Sequence, residues 1–141
     1  EAMNITKLNA KLKGNMAFET EINGHKVITD ATEEYGGSNL GPSPKALLLA
    51  GLIGCSGIDV MTIIKKMRVE IEDLNVDVEA ETRDEHPKIY NYIKVIYKFK
   101  GKDLPYSKLE RAVKLSFEKY CGVSAMLEKA VPITYEILIE E

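Results

Sequence analysis

Residues 42–61 read PSPKALLLAGLIGCSGIDVM, and this stretch decides the fold. Ser43 followed by Pro44 is typical of a helix start, with the serine as cap and the proline at the first helical position. We expect the helix to cover about 44–67. Apolar residues occupy nearly all of its circumference up to Ile64, which predicts a helix buried on all sides. In a chain of 141 residues, such burial favours a sheet on one side and a second subunit on the other.

The segments around this helix predict strands and two further helices. Three short alternating segments over about 6–30 indicate an antiparallel meander, with an Asn-Gly turn at Asn23 and Gly24. A second alternating region predicts a hairpin over about 69–101. Helical patterns cover about 107–129, and a last strand covers about 132–139. The order of elements favours an α+β protein with a single domain over residues 1–141.

Two local patterns place the later helices more closely. Ser107 with Glu110 three residues on matches a capping box, which predicts that Ser107 caps the helix. Gly122 follows Cys121 and allows a break before the next short helix. Between the meander and the central helix, the Gly-, Ser- and Pro-rich segment TEEYGGSNLGPSP predicts a flexible loop, a candidate wall of a site.

Composition excludes several classes of function. The chain has 19 basic and 22 acidic residues, a formal net charge of −3, and no basic patch suited to nucleic acid. The apolar run Ala46–Ile58 is shorter than the roughly 20 residues that cross a bilayer, and no secretory leader pattern is present. We therefore expect a soluble, cytoplasmic protein without nucleic-acid or membrane partners. Since His25 and His86 lie in different turns and no CxxC, HxxxH or glycine-rich nucleotide motif occurs, we expect no metal and no cofactor.

The chain has two cysteines, and each allows two interpretations. Cys55 lies in the middle of the apolar helix, where a thiol is commonly a small packing residue. The carboxylate of Asp59, one turn later, disfavours a thiolate at Cys55, so a reactive Cys55 would need activation by residues distant in sequence. Cys121 lies near the start of a helix, where backbone N–H groups stabilise a thiolate, although a small residue at a helix junction explains it as well.

The stretch GPSPKALLLAGLIGCSGIDV, with YCGVSAML further on, resembles the two cysteine motifs of the osmotically inducible protein C / organic hydroperoxide resistance family (OsmC/Ohr). The resemblance covers essentially the whole chain. It implies antiparallel sheets packed around the long cysteine-bearing helix, in an intertwined homodimer. It also implies a thiol peroxidase for small organic hydroperoxides, with Cys55 as the peroxidatic residue and Cys121 as the resolving residue. A dithiol or lipoyl-type reductant would regenerate both thiols.

The chain departs from the family pattern at two activating positions. Family peroxidases use an arginine from the amino-terminal part, whereas this chain has no arginine before Arg68. They also carry a glutamate ten residues before the cysteine, where this chain has Lys45. Lys45 could supply the positive charge, and Glu33 or Glu34 could supply the acid.

These departures leave other functions open. One alternative is a non-catalytic or weakly reactive protein that binds a small apolar or electrophilic ligand at the dimer interface. Another is a purely structural interaction module, in which both cysteines serve packing alone.

Overall fold

The computed structural model describes residues 4–141, which form six strands and three α-helices in two compact units. One unit ends at Leu48 and the other begins at Leu49. The single domain over 1–141 stays a prediction. The long helix α1, Pro44–Lys66, begins in the first unit and continues into the second.

The first unit contains the predicted meander. Strands β1 (Ala10–Leu12), β2 (Phe18–Ile22) and β3 (His25–Thr29) pair antiparallel in chain order. Ile22 pairs with His25, which leaves Asn23 and Gly24 as a two-residue loop. Both residues have positive φ, 50° and 80°, as the favoured hairpin turns require.

The loop after β3 is ordered by the buried carboxylate of Asp30. Its two oxygens accept backbone N–H groups of Ala31, Ser38 and Leu40 at 2.7, 3.2 and 3.0 Å. The bond from Leu40 is the main reason why the pKa of Asp30 lies below its usual value. A Cβ at Gly37 would approach the carbonyl oxygen of Ala31 to 2.0 Å, so the close chain path requires glycine. The glycine-rich loop is therefore held by hydrogen bonds and by a close backbone contact. The sequence had instead predicted a flexible loop.

The second unit is built on a sheet of three strands. Strands β4 (Asp73–Thr82) and β5 (Tyr90–Lys100) form the predicted hairpin, and β6 (Ile133–Glu140) lies beside β5. Alternate residues of β5 are fully buried, and Tyr97 and Phe99 are its largest core side chains. This alternation explains why the segment reads as a strand with one buried face.

The expectation of antiparallel sheets is wrong for the last strand. β6 runs parallel to β5, with Ile137 opposite Tyr97. Parallel neighbours need a crossover of a dozen or more residues. The helical segment between Lys100 and Ile133 supplies that crossover, so the second sheet is mixed while the fold remains α+β.

The crossover contains α2 (Tyr106–Leu115), a π turn over Ser116–Tyr120 and α3 (Gly122–Leu127). The predicted capping box is wrong. Pro105 has extended backbone angles and occupies the cap position, without a capping side chain. Ser107 is therefore already inside the helix, too late to cap the first turn.

Helix α1 buries one stripe of residues at intervals of four: Leu52, Ser56, Val60 and Ile64. The stripe joins the core formed with β5 and α2. The prediction of burial on all sides does not hold within one chain, because Ile58 on another face is 69% exposed. A helix that is apolar on every face but buried on only one leaves a hydrophobic surface for another partner.

By length and composition alone, the 23-residue helix α1 is also long and apolar enough to cross a membrane. The whole helix is thus longer than the apolar run on which the sequence argument rested. A central helix of a folded domain meets the same criteria, and the buried stripe of α1 shows that it takes part in a protein core.

Candidate functional site

Three side chains with metal-binding or nucleophilic chemistry meet in the second unit. The sulfur atoms of Cys55 and Cys121 and a carboxylate oxygen of Asp59 all lie within 4.8 Å of one another. Cys55 and Asp59 project from neighbouring turns of α1, and Cys121 comes from the junction between the π turn and α3. Both cysteines are free thiols, Cys121 buried and Cys55 half-buried. The structure therefore brings together the two cysteines that the sequence singled out.

The π turn determines where Cys121 lies. The Cys121 N–H donates to the carbonyl oxygen of Ser116, five residues earlier, at 2.7 Å. Phe117 anchors this turn on the sheet, stacking on Tyr135 at 5.2 Å and meeting Tyr97 edge to face at 6.4 Å between ring centroids. Single π turns occur frequently at functional sites because the extra residue redirects the side chains that follow.

Cys121 caps the short helix α3 through its sulfur. The Ser124 N–H donates to Cys121 Sγ at 3.3 Å, and Ser124 Oγ donates to the Cys121 carbonyl oxygen at 3.1 Å. Backbone contact with the sulfur is the interaction that the sequence predicted. Burial nevertheless raises the pKa of the Cys121 thiol; the Ser124 N–H opposes this effect, and Cys55 adds to it. Cys121 therefore favours its protonated form when Cys55 is reduced.

A chain of buried hydroxyl groups approaches the site from the core. Tyr97 Oη and Ser56 Oγ are hydrogen bonded, and Ser116 Oγ lies 3.0 Å from Ser56 Oγ and 3.1 Å from Asp59 Oδ2. A serine hydroxyl has one proton, and an ionised carboxylate only accepts. The consistent arrangement is that Tyr97 donates to Ser56, Ser56 to Ser116, and Ser116 to Asp59. This series of hydrogen bonds orients the Asp59 carboxylate through Oδ2.

Sequence reasoning missed Ser56, Ser116 and Tyr97. The available signal was the position of Ser56 at an interval of four between Leu52 and Val60 in the buried stripe. A serine at such a position is buried, and a buried hydroxyl needs a partner. The identity of that partner could not be read from the sequence, because Tyr97 and Ser116 lie far from Ser56 along the chain.

A cavity of about 390 Å³ reaches the site through Asp59. Its walls combine apolar residues, an aromatic ring and the cations Lys66 and Arg111; the lining residues are Asp59, Thr62, Ile63, Lys66, Met67, Arg111, Leu115 and Tyr120. Cations that share a cavity with a carboxylate reduce the local negative potential. Lys45, Glu33 and Glu34 lie in the first unit or at the start of α1, and their part in activation stays a prediction.

The model of the family described as OsmC-like protein matches residues 36–136. The chain belongs to the OsmC-like family. It is 39% identical to the protein named YhfA of Escherichia coli K12 over 117 residues, which cover 82% of this chain and 84% of that one. The family resemblance inferred from the two cysteine motifs is confirmed.

Solved structures share the fold of this OsmC-like protein. A hypothetical protein from Aquifex aeolicus VF5 is 34% identical, with a TM-score of 0.83, over 99% of this chain and 100% of that one. A Legionella pneumophila protein called an organic hydroperoxide resistance protein OsmC is 20% identical, with a TM-score of 0.69, over 98% and 99% of the two chains. These matches confirm the α+β OsmC-like fold.

Proposed function

We propose that this OsmC-like protein is a thiol peroxidase that reduces small organic hydroperoxides. The observation that carries the proposal is the meeting of Cys55 and Cys121 within 4.8 Å. Cys55 is the more accessible thiol, so it is the nucleophile. The buried Cys121 is the resolving thiol.

The reaction proceeds in two steps on these sulfur atoms. The Cys55 thiolate attacks the terminal oxygen of the hydroperoxide, an S–O bond forms, and the O–O bond breaks. The departing alkoxide takes a proton and leaves as an alcohol, while Cys55 becomes a sulfenic acid. Cys121 then attacks Cys55 Sγ, the S–S bond forms, and the hydroxyl group leaves as water with the thiol proton. An external dithiol or lipoyl-type reductant restores both thiols by exchange.

The surroundings suit a substrate with an apolar body. The cavity at Asp59 offers Ile63, Met67 and Leu115 to such a body, and polar and charged side chains on its other walls can orient the substrate. We place the protein in the cytoplasm, where both thiols are kept reduced.

We further propose that the protein is a homodimer formed through the exposed face of α1. An open groove of about 740 Å³ follows this face, with Gly54, Gly57 and Ile58 among its walls. A Cβ built on Gly54 or Gly57 meets no atom within 4 Å, so a second helix can approach closely there. A second copy of this chain offers the same apolar surface.

One observation favours a second candidate function, a weakly reactive protein that binds a small apolar or electrophilic ligand. Burial raises the pKa of the Cys121 thiol, which disfavours the thiolate that disulfide formation needs. The two candidates differ in the rate at which the thiols react with peroxide.

The deciding experiment measures consumption of cumene hydroperoxide and of hydrogen peroxide in the presence of a dithiol. For the peroxidase we expect the organic peroxide to react faster, with one alcohol formed per peroxide consumed, and Cys55→Ser to abolish turnover. Unchanged turnover by Cys55→Ser would refute the proposed mechanism. Two thiols that stay free after prolonged exposure of the wild-type protein would favour the ligand-binding function.

A further inference from the structure

Cys55, Cys121 and Asp59 together offer three metal-ligand atoms. Disulfide chemistry requires only the two sulfurs, so it does not explain the carboxylate of Asp59 beside them. Two sulfurs and one carboxylate oxygen lie within 4.8 Å of one another. Zinc binds sulfur at about 2.3 Å, and two sulfurs on a tetrahedral zinc are then roughly 3.8 Å apart. The three donors can therefore reach one ion by small rotations of their side chains. The sequence did not predict such a site, because its ligands are far apart along the chain and form no CxxC or HxxxH motif.

We propose that the reduced protein binds one Zn²⁺ through Cys55 Sγ, Cys121 Sγ and Asp59, a use of the site that goes beyond peroxide reduction. Thiolate ligands select zinc over Mg²⁺ and Ca²⁺, which prefer oxygen. Three protein ligands leave a fourth tetrahedral position for water or another small ligand.

The groups around the donors support this assignment. The Ser116 hydroxyl donates to Asp59 Oδ2, which orients the carboxylate. The Ser124 N–H donates to Cys121 Sγ, a contact that stabilises this sulfur as a thiolate. Such hydrogen bonds to ligand atoms orient metal ligands in proteins.

Zinc binding and disulfide formation exclude each other because they use the same sulfur atoms. On binding, each thiol releases its proton to the buffer and forms an S–Zn bond, and no electron is transferred. On oxidation by a hydroperoxide, the two sulfurs form a disulfide and the ion leaves. Zinc therefore holds the thiols reduced, and an oxidant releases zinc.

The test uses the full chain, reduced and freed of metal with a chelator in the absence of oxygen. Titration with Co²⁺ should produce a thiolate-to-metal charge-transfer band that saturates at one ion per chain and disappears when Zn²⁺ is added. X-ray absorption of the zinc form should show two sulfurs at about 2.3 Å with oxygen or nitrogen neighbours. A tenfold excess of Mg²⁺ should leave the cobalt band unchanged.

Variants identify the ligands. Cys55→Ser and Cys121→Ser should each remove one sulfur from the zinc shell, and Asp59→Asn should weaken zinc binding by about tenfold or more. Asp84→Asn, in an exposed turn, is the matched control and should bind as the wild type does. Circular dichroism establishes that each variant is folded.

Chemical blocking of the thiols provides the same test without substitution. Wild-type protein alkylated at both cysteines should lose the cobalt band. A zinc shell of oxygen and nitrogen alone, or wild-type affinity in Cys55→Ser, would overturn the proposed site. This result does not depend on peroxidase activity, because none of the measurements uses a peroxide.

Discussion

The sulfur atoms of Cys55 and Cys121 lie within 4.8 Å of each other, although Cys55 lies in α1 and Cys121 lies at the junction between the π turn and α3. Cys121 is held by the π turn on one side and by the Ser124 N–H on the other, whereas Cys55 is half-buried on α1. One sulfur is thus fixed and buried, and the other is open to approach. This asymmetry underlies the assignment of Cys55 as nucleophile and Cys121 as resolving thiol.

The first prediction concerns Cys121→Ser exposed to one equivalent of cumene hydroperoxide without reductant. Since the resolving thiol is missing, we expect the sulfenic acid of Cys55 to persist and to react with dimedone. Intact mass should show one dimedone adduct per chain, located at Cys55 by peptide mapping. The wild-type protein should instead lose two hydrogens and form an intramolecular disulfide.

Cys55→Ser under the same conditions is the control and should give neither adduct nor disulfide. A dimedone adduct on Cys121 in that variant would reverse the two roles. Equal adduct yields in the wild type and in Cys121→Ser would show that Cys121 does not resolve the sulfenic acid.

The second prediction concerns the buried hydrogen bond between Ser56 and Tyr97. Ser56→Ala leaves the Tyr97 hydroxyl without its partner in the core, which should lower the free energy of unfolding by about 1–3 kcal/mol. Tyr97→Phe should cost a similar amount. Because both substitutions remove the same bond, the double variant should cost less than the sum of the two, by about 1 kcal/mol.

Urea unfolding of the four proteins measures this coupling. Ser107→Ala, an exposed serine inside α2, is a matched control and should change the free energy of unfolding by less than about 0.5 kcal/mol. Strict additivity of Ser56→Ala and Tyr97→Phe would be inconsistent with the described bond.

The third prediction concerns the exposed face of α1. Ile58→Glu places a charge on the surface that we assign to the dimer interface, and burying an unpaired charge is costly. We expect the wild type to be a dimer and Ile58→Glu to be a monomer by light scattering after size-exclusion chromatography. Ile89→Glu changes an apolar residue outside the strands and helices that is 42% exposed, and it should leave the dimer intact.

Two outcomes would contradict this assignment. One is a wild-type protein with the mass of a single chain. The other is an Ile58→Glu variant that remains dimeric at concentrations at which the wild type begins to dissociate.

The sequence was sufficient to predict α1 because several signals agree there. Ser43 and Pro44 set its start, Lys65 and Lys66 suit its end, and apolar residues fill the turns between them. The strand pairs of the meander and the hairpin were predictable for the same reason, since alternation and turn residues are local properties. The two cysteines stood out because they are the only two in the chain.

Features that depend on contacts distant in sequence could not be predicted. The alternation of β6 specifies which residues are buried and leaves its direction open, so its parallel pairing with β5 was missed. The Ser107 capping pattern did not set the helix start, because the extended backbone of Pro105 places the cap two residues earlier. Ser116 is one of several serines in the sequence, and only the fold places it between Ser56 and Asp59.

The last prediction concerns pH, because burial raises the pKa of Tyr97 to about 12; its bond with Ser56 acts in the opposite direction. A tyrosine in the unfolded chain ionises near pH 10. Between about pH 10 and pH 12, the unfolded state loses a proton that the folded state keeps, so the free energy of unfolding falls as pH rises through this window. The stability that depends on a protonated Tyr97 is fully present below about pH 10. Its loss by about pH 12 lowers the free energy of unfolding by roughly 2–3 kcal/mol.

Urea unfolding of the wild type and of Tyr97→Phe at several pH values between about 9 and 11.5 measures this effect. Other groups titrate in both proteins, so the informative quantity is the difference between the two curves. The free energy of unfolding of Tyr97→Phe should fall less steeply with pH than that of the wild type, so the two values should converge as pH rises.

Tyrosinate absorbance gives a second measure: of the seven tyrosines, Tyr97 should be the last to ionise in the folded protein. Parallel stability curves, or a tyrosinate titration that Tyr97→Phe leaves unchanged at its alkaline end, would show that Tyr97 ionises like an exposed residue.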